Sequence, residues 1–100
     1  MNRFRLSLRA KTDLATIHRY IAQDAAPAAD RYVAEFFDLF HLLAKNPEIG
    51  QLRAELRPNL RSISHGSYVI FFYPMVGGVE IATVVHGARD VDALFRTGQG

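Results

Sequence analysis

Gly66-Ser67-Tyr68-Val69-Ile70-Phe71-Phe72-Tyr73 is the stretch on which the fold turns. His65-Gly66-Ser67 has the composition of a tight hairpin turn. From Tyr68 to Tyr73 every side chain is aliphatic or aromatic. A strand with one wet face alternates apolar and polar residues. One that is apolar throughout predicts a central strand covered on both faces, or a strand that crosses a partner surface. Working outward, Leu60 to Ser64 reads as a weaker strand on the near side of the turn. On the far side, Pro74-Met75-Val76-Gly77-Gly78 makes a second turn and Val79 to Val85 a further strand. His86-Gly87 breaks that strand, and Asp90 stands where it would cap a short final helix carrying Val91, Leu94 and Phe95.

The half of the chain before this meander changes period once. Phe4, Leu6 and Leu8 alternate with polar residues over positions 3–8, the spacing of a half-buried strand. From Ala10 onward Leu14, Ile17 and Ile21 fall at helical spacing, with Asp13, His18 and Arg19 off the stripe. The residue before a proline disfavours helix, so this helix is expected to stop near Asp24-Ala25-Ala26-Pro27. Pro27 suits the first turn of a second helix, where its missing N–H costs nothing. Ala29, Val33, Phe36, Phe40 and Leu43 form that helix's apolar stripe, and Asn46-Pro47 ends it. Tyr32, Phe37 and Leu39 widen the stripe beyond what one packing surface needs. The short connection predicts an antiparallel helical hairpin. Residues 46–59, with Pro47, Gly50 and Pro58, read as a loop. The order β-α-α-β-β-β plus a short C-terminal helix predicts an α+β fold of two layers, with the hairpin packed on a mainly antiparallel sheet. The opposite face of the sheet is left for water or a partner.

A length of 100 residues fits one domain spanning 1–100. A hydrophobic content of 49%, with 11% aromatics, is enough for a core and argues against disorder. The lack of cysteine excludes disulfides, thiolate metal sites and cysteine nucleophiles, and agrees with a cytoplasmic location. No apolar run approaches the roughly 20 residues of a membrane span, and the N-terminus lacks a signal-peptide core. A net charge of +2 is too small to argue for nucleic acid. The histidines have no carboxylate at ligand spacing, and Gly77-Gly78 is a turn rather than a phosphate loop, so neither a metal nor a cofactor is expected.

The whole arrangement, from about Phe4 to Phe95, resembles the RelE/ParE toxin superfamily. Four segments carry the resemblance: Ala10…Asp13-Leu14…Ile17…Tyr20-Ile21-Ala22; Ala29…Arg31-Tyr32…Phe40…Leu43-Ala44…Pro47…Gly50; Arg53…Glu55-Leu56-Arg57-Pro58…Leu60-Arg61-Ser62; and Gly66 to Tyr73 joined to Val84-Val85-His86-Gly87-Ala88-Arg89-Asp90. The final His-Gly-Ala-Arg-Asp run looks specifically like ParE. The resemblance implies a toxin of a type II toxin-antitoxin system, of the kind that arrests growth and stabilises plasmids. It also implies a ParD-like antitoxin whose C-terminal segment wraps the toxin, and DNA gyrase as the target. The related RelE toxins are ribosome-dependent endoribonucleases, which is the alternative activity. A degenerate toxin that serves only as an antitoxin-binding corepressor is the third.

RNA cleavage needs a base, a charge clamp on the phosphate and an acid for the leaving group. By resemblance, Arg61 stands where RelE relatives carry a basic residue, and Arg89 matches their late arginine. Tyr68 replaces a phosphate-clamping arginine, and Phe95 replaces a tyrosine near the C-terminus. A phenol is no substitute for a bidentate guanidinium, and a phenyl ring has no proton to exchange. The expectation is therefore a binding protein without catalytic residues. Arg61, Tyr68, His86, Arg89 and Phe95 are the candidates for contacting the target. Tyr32, Phe36, Phe37, Phe40, Arg53 and Arg57 are the candidates for contacting the antitoxin, the aromatics as a groove and the arginines as a basic patch shared with Arg61 and Arg89. His65 reads as an exposed residue of the hairpin tip, and His18 and His41 as surface positions on the helices.

Overall fold

Ser7 ends the first strand and starts the first helix. Its hydroxyl oxygen accepts a hydrogen bond from the Ala10 N–H at 2.9 Å and donates one to the Ala82 carbonyl at 2.7 Å. Serine is a strong N-cap because its side chain satisfies an N–H the helix leaves unpaired. Strand β1 (Arg3–Leu6) is therefore shorter than its alternation implies, and Leu8 opens helix α1 (Leu8–Ala22) as an exposed residue. Helix α2 (Ala26–Lys45) follows with Pro27 in its first turn. The protein's structure, a computed structural model, describes residues 2–87 and 91–96, with Arg96 described by its backbone alone.

The remaining elements are β2 (Gln51–Leu52), β3 (Arg61–His65), β4 (Tyr68–Met75), β5 (Gly78–His86) and α3 (Val91–Arg96). They make a five-stranded sheet in the order β1-β5-β4-β3-β2. The strand read as central is the middle one. β1 runs parallel to β5, and every other pair is antiparallel. The fold is thus α+β, as the sequence predicts, with one strand more than expected. The extra strand, β2, lies in the segment read as loop, where Gln51 and Leu52 pair with Ser62 and Arg61. Two residues flanked by Gly50 and Arg53 have no periodicity by which to be recognised. The β4–β5 register shifts between Phe71 and Phe72, whose partners are Thr83 and Ile81. Ala82 is the extra residue of this bulge, and its carbonyl is the one that Ser7 holds.

The sheet has a core on each face. On the helical side, Leu14 and Ile17 of α1 and Phe36, Phe40 and Leu43 of α2 bury against Ile70, Phe72, Val79, Ile81 and Val84. Each large side chain fully buried there contributes about 1.5–3 kcal/mol. The wide aromatic stripe of α2 is absorbed within this core. Phe37 packs its ring 5.8 Å from Phe4 and 5.5 Å from Phe40, and Tyr32 lies 5.2 Å from Phe36. On the other side, Leu60, Phe71, Ala82 and Val85 are covered by Leu94 and Phe95 of α3, with Leu56, Val69, Tyr73 and Val91 at the margin. The face expected to await water or a partner is, over this area, covered by the chain itself. Segment 53–60 closes back on itself through Arg53 N–H to Leu60 O at 2.7 Å, and α3 lies beside it.

Candidate functional site

An open cleft of about 680 Å³ lies between α1 and the ends of β4 and β5. Tyr20, Tyr32, Ser67, Tyr68, His86 and Asp13 supply its polar atoms and rings. The hairpin turn between β3 and β4 sets its geometry. Gly66 sits at φ 59°, and a Cβ there would lie 2.2 Å from the Tyr32 hydroxyl. Glycine therefore lets Tyr32 close onto the turn, where its hydroxyl donates to the His65 carbonyl at 3.2 Å. Tyr68 follows the turn, and its ring lies 5.9 Å from Tyr32, 6.0 Å from Phe36 and 5.5 Å from His86. Burial, and then the neighbouring Tyr68 and Glu35, push the Tyr32 phenol above its ordinary value. Burial, and then Tyr20, do the same for Tyr68. Both stay neutral hydroxyls at physiological pH, able to donate a hydrogen bond but unsuited to act as bases.

Asp13 forms the floor of the cleft. Its Oδ2 accepts hydrogen bonds from the Thr83 hydroxyl and from the Val84 N–H, the latter at 2.9 Å. The sequence places Asp13 off the packing stripe of α1 and gives no hint of this partner. It is the residue that sequence reasoning missed, together with Ser7. A serine just before a change of period is the one signal that would have found the cap.

The arginines separate. Arg61 donates to the carbonyls of Glu48 at 2.6 Å and Ile49 at 3.2 Å, so its guanidinium clamps the exit of α2. Arg53 pairs with Glu55 at 2.7 Å, donates to the Ser62 hydroxyl at 3.3 Å and lies 5.5 Å from the Phe71 ring centre. The hydrogen bond that Arg53 donates to Glu55, more than the simple charge attraction, lowers the Glu55 carboxyl from its ordinary value. Arg57 donates to the Leu56 and Phe95 carbonyls and lies 5.7 Å from the Phe95 ring centre. Arg53 and Arg57 thus belong to the core that α3 covers, while Arg61 serves the helical side. The shared basic patch that their spacing implies does not form from these three, because each guanidinium is engaged locally, Arg61 at the exit of α2, Arg53 on Glu55 and Arg57 beside α3. Arg89, the fourth member, lies outside the described residues, as does Asp90.

Among the other candidates, Phe36, Phe40 and Phe95 are buried, with 0%, 0% and 1% of their surface exposed. Phe95 stacks edge-on against Phe71 at 5.1 Å. As placed, these three have no surface to offer a partner. Tyr32, Phe37 and Tyr68 are half-buried, and His86 is exposed at the end of β5. The cleft brings together Tyr68, His86 and Tyr32 and leaves the other described candidates elsewhere. His65 is a correction. It is half-buried rather than exposed at a tip, 3.0 Å from Glu35 and with its ring 5.1 Å from both Tyr32 and Phe36. His18 reaches Asp30 at 2.8 Å and links the two helices. Among the described residues no group of three or more histidines or carboxylates converges to hold a metal ion.

A family model described as the ParE toxin of type II toxin-antitoxin systems, parDE, matches residues 4–91. Toxin ParE1 of Caulobacter vibrioides is 37% identical over 95 residues, which covers 93% of this chain and 97% of the relative. Toxin ParE1 of Mycobacterium tuberculosis is 34% identical over 65 residues, 64% of this chain and 66% of the relative. Among solved structures, one described as the chromosomal ParDE system of P. aeruginosa superposes with a TM-score of 0.71 at 16% identity, covering 86% of this chain and 96% of that one. The fold is shared with that structure, and the family match runs from β1 through α1 and α2 to the start of α3: the chain belongs to the ParE toxins of type II toxin-antitoxin systems.

Proposed function

We propose that this ParE family member acts by binding DNA gyrase rather than by cleaving RNA, and that a ParD-like antitoxin neutralises it. Gyrase works on the chromosome, so this reading puts the toxin in the cytoplasm. The observation that carries the non-enzymatic reading is the state of the positions at which a RelE-type ribonuclease needs charge. Tyr68 is a half-buried phenol held protonated. Arg61 spends its donors on backbone carbonyls. Phe95 is sealed under the sheet. A phosphate entering beside Tyr68 would be repelled by the Asp13 carboxylate and, apart from His86, would find only neutral hydroxyl donors in place of a guanidinium clamp. In this reading Tyr68 and His86, with Arg89, contact the target. Tyr32, Phe37, Arg53 and Arg57 keep accessible surface for the antitoxin. The ParDE description of the solved relative supports a partner of that kind.

Purified toxin added to gyrase and supercoiled DNA tests the proposal. Inhibited supercoiling with accumulation of cleaved DNA is expected. Unaffected gyrase across a wide toxin range sinks the target assignment. Primer extension on messenger RNA after induction separates the alternative: codon-linked cuts, lost in Arg89→Ala, would establish the ribonuclease. Absence of growth arrest without antitoxin would leave only the corepressor role.

A further inference from the structure

The cleft beside α1 is built from rings and one carboxylate. Tyr20, Tyr32 and Tyr68 come from three different elements, His86 adds an imidazole at the end of β5, 5.5 Å from the Tyr68 ring, and Asp13 lies on the α1 side. Tyr20 is 68% exposed, an unusual state for a large aromatic side chain whose neighbours are half-buried. Ile17, Ile21 and Val84 supply apolar wall. A neutral phenol presents a negative ring face that attracts cations, and a carboxylate in the same recess adds to the attraction. The apolar wall suits the methylene stem of a long basic side chain, whose charge then reaches the rings. The volume is in the range that holds a buried side chain or small ligand.

From this juxtaposition we infer that the cleft receives a basic side chain, an arginine or lysine presented next to an apolar residue on a protein partner's segment. Tyr20 is the outer wall and the specificity element, because its ring is the most accessible of the three. Asp13 holds one oxygen to Thr83 and Val84 and contributes its charge to the floor. The inference rests on the chemistry of the cleft and stands whether or not gyrase is the target, so the gyrase assay and the following experiment fail independently.

The probes are three capped tripeptides, Leu-Arg-Leu, Leu-citrulline-Leu and Leu-Glu-Leu, titrated against the isotope-labelled full chain. Tyrosine ring resonances are followed by NMR. Citrulline keeps the shape of arginine and removes its charge. The arginine peptide is expected to shift Tyr20, Tyr32 and Tyr68. Tyr73, in the core on the other face, stays unmoved as the internal control. The citrulline peptide should bind about two- to fivefold more weakly, in line with a cation–π contact at a partly exposed site. Tyr20→Leu keeps apolar surface and folding while removing the ring. It should weaken the arginine peptide about threefold and leave the citrulline peptide unchanged. Equal binding of arginine and citrulline peptides would make the cleft a plain apolar slot. A preference for the glutamate peptide, shifts equal at Tyr73, or no shifts with any peptide would also overturn the inference. So would perturbation by a short oligoadenylate alone, which would assign the rings to base stacking.

Discussion

Asp13 ties the middle of α1 to the irregular part of β5. Its Oδ2 accepts the Thr83 hydroxyl and the Val84 N–H, and Thr83 is fully buried. Removing the acceptor strands buried donors, so Asp13→Ala should cost about 1–3 kcal/mol. A lower urea midpoint with an unchanged m-value would show it. An unchanged midpoint would mean that the contact contributes nothing. Gly66 makes the companion case. Gly66→Ala forces a Cβ into the left-handed region and against the Tyr32 hydroxyl. A loss of about 1–2 kcal/mol is expected from the backbone alone, with a displaced Tyr32 ring visible by NMR. Of these features the sequence displays the glycine, because a turn composition is local. It does not display the role of Asp13, because the partner lies 70 residues away and periodicity carries no information about it.

At the scale of elements, α3 is a helix whose position the sequence displays and whose partner it does not. Val91, Leu94 and Phe95 are legible as a helical stripe, and the stripe exists. The sequence alone leaves open whether it faces a partner or the protein. The structure turns it inward, with Leu94 and Phe95 buried and Arg57 donating to the Phe95 carbonyl from beneath. Phe95→Ala should therefore destabilise by about 3–5 kcal/mol, as for a large side chain deleted from a core. Truncation after Gly87 should expose Phe71, Leu60 and Val85 and cause aggregation in light scattering. A truncated chain that stays monomeric with the melting temperature of the full chain would return α3 to the list of target contacts. Helix α2 gives the converse case. Its surplus of aromatics suggested a groove, but a helix lying over β1 and the β3–β4 hairpin at once needs a wide apolar face. Phe4 and Tyr68 are the residues that fill it.

At the scale of the molecule, the meander and helical hairpin were readable because each is a run of local pattern, and their order fixes a two-layer arrangement. The parallel docking of β1 on β5 was not readable, since short strand segments do not announce their direction or neighbour. The result is a sheet with phenols half-buried on both faces: Tyr32 and Tyr68 on the helical side, Tyr73 on the other. Burial is the leading cause that raises all three above the ordinary tyrosine value of about 10. The sign follows from the charged form being the one burial penalises. The folded state keeps these phenols protonated at a pH where the unfolded chain has begun to lose its protons. Their favourable contribution is complete below about pH 10 and is lost as pH rises through the folded values. Because they sit in both cores, alkaline titration should loosen the two faces together. Tyrosinate absorbance should therefore rise above the ordinary value in step with loss of far-ultraviolet circular dichroism, as one transition. If the tyrosines ionise near the ordinary value while the circular dichroism is unchanged, the phenols are solvated and burial is not what holds them protonated.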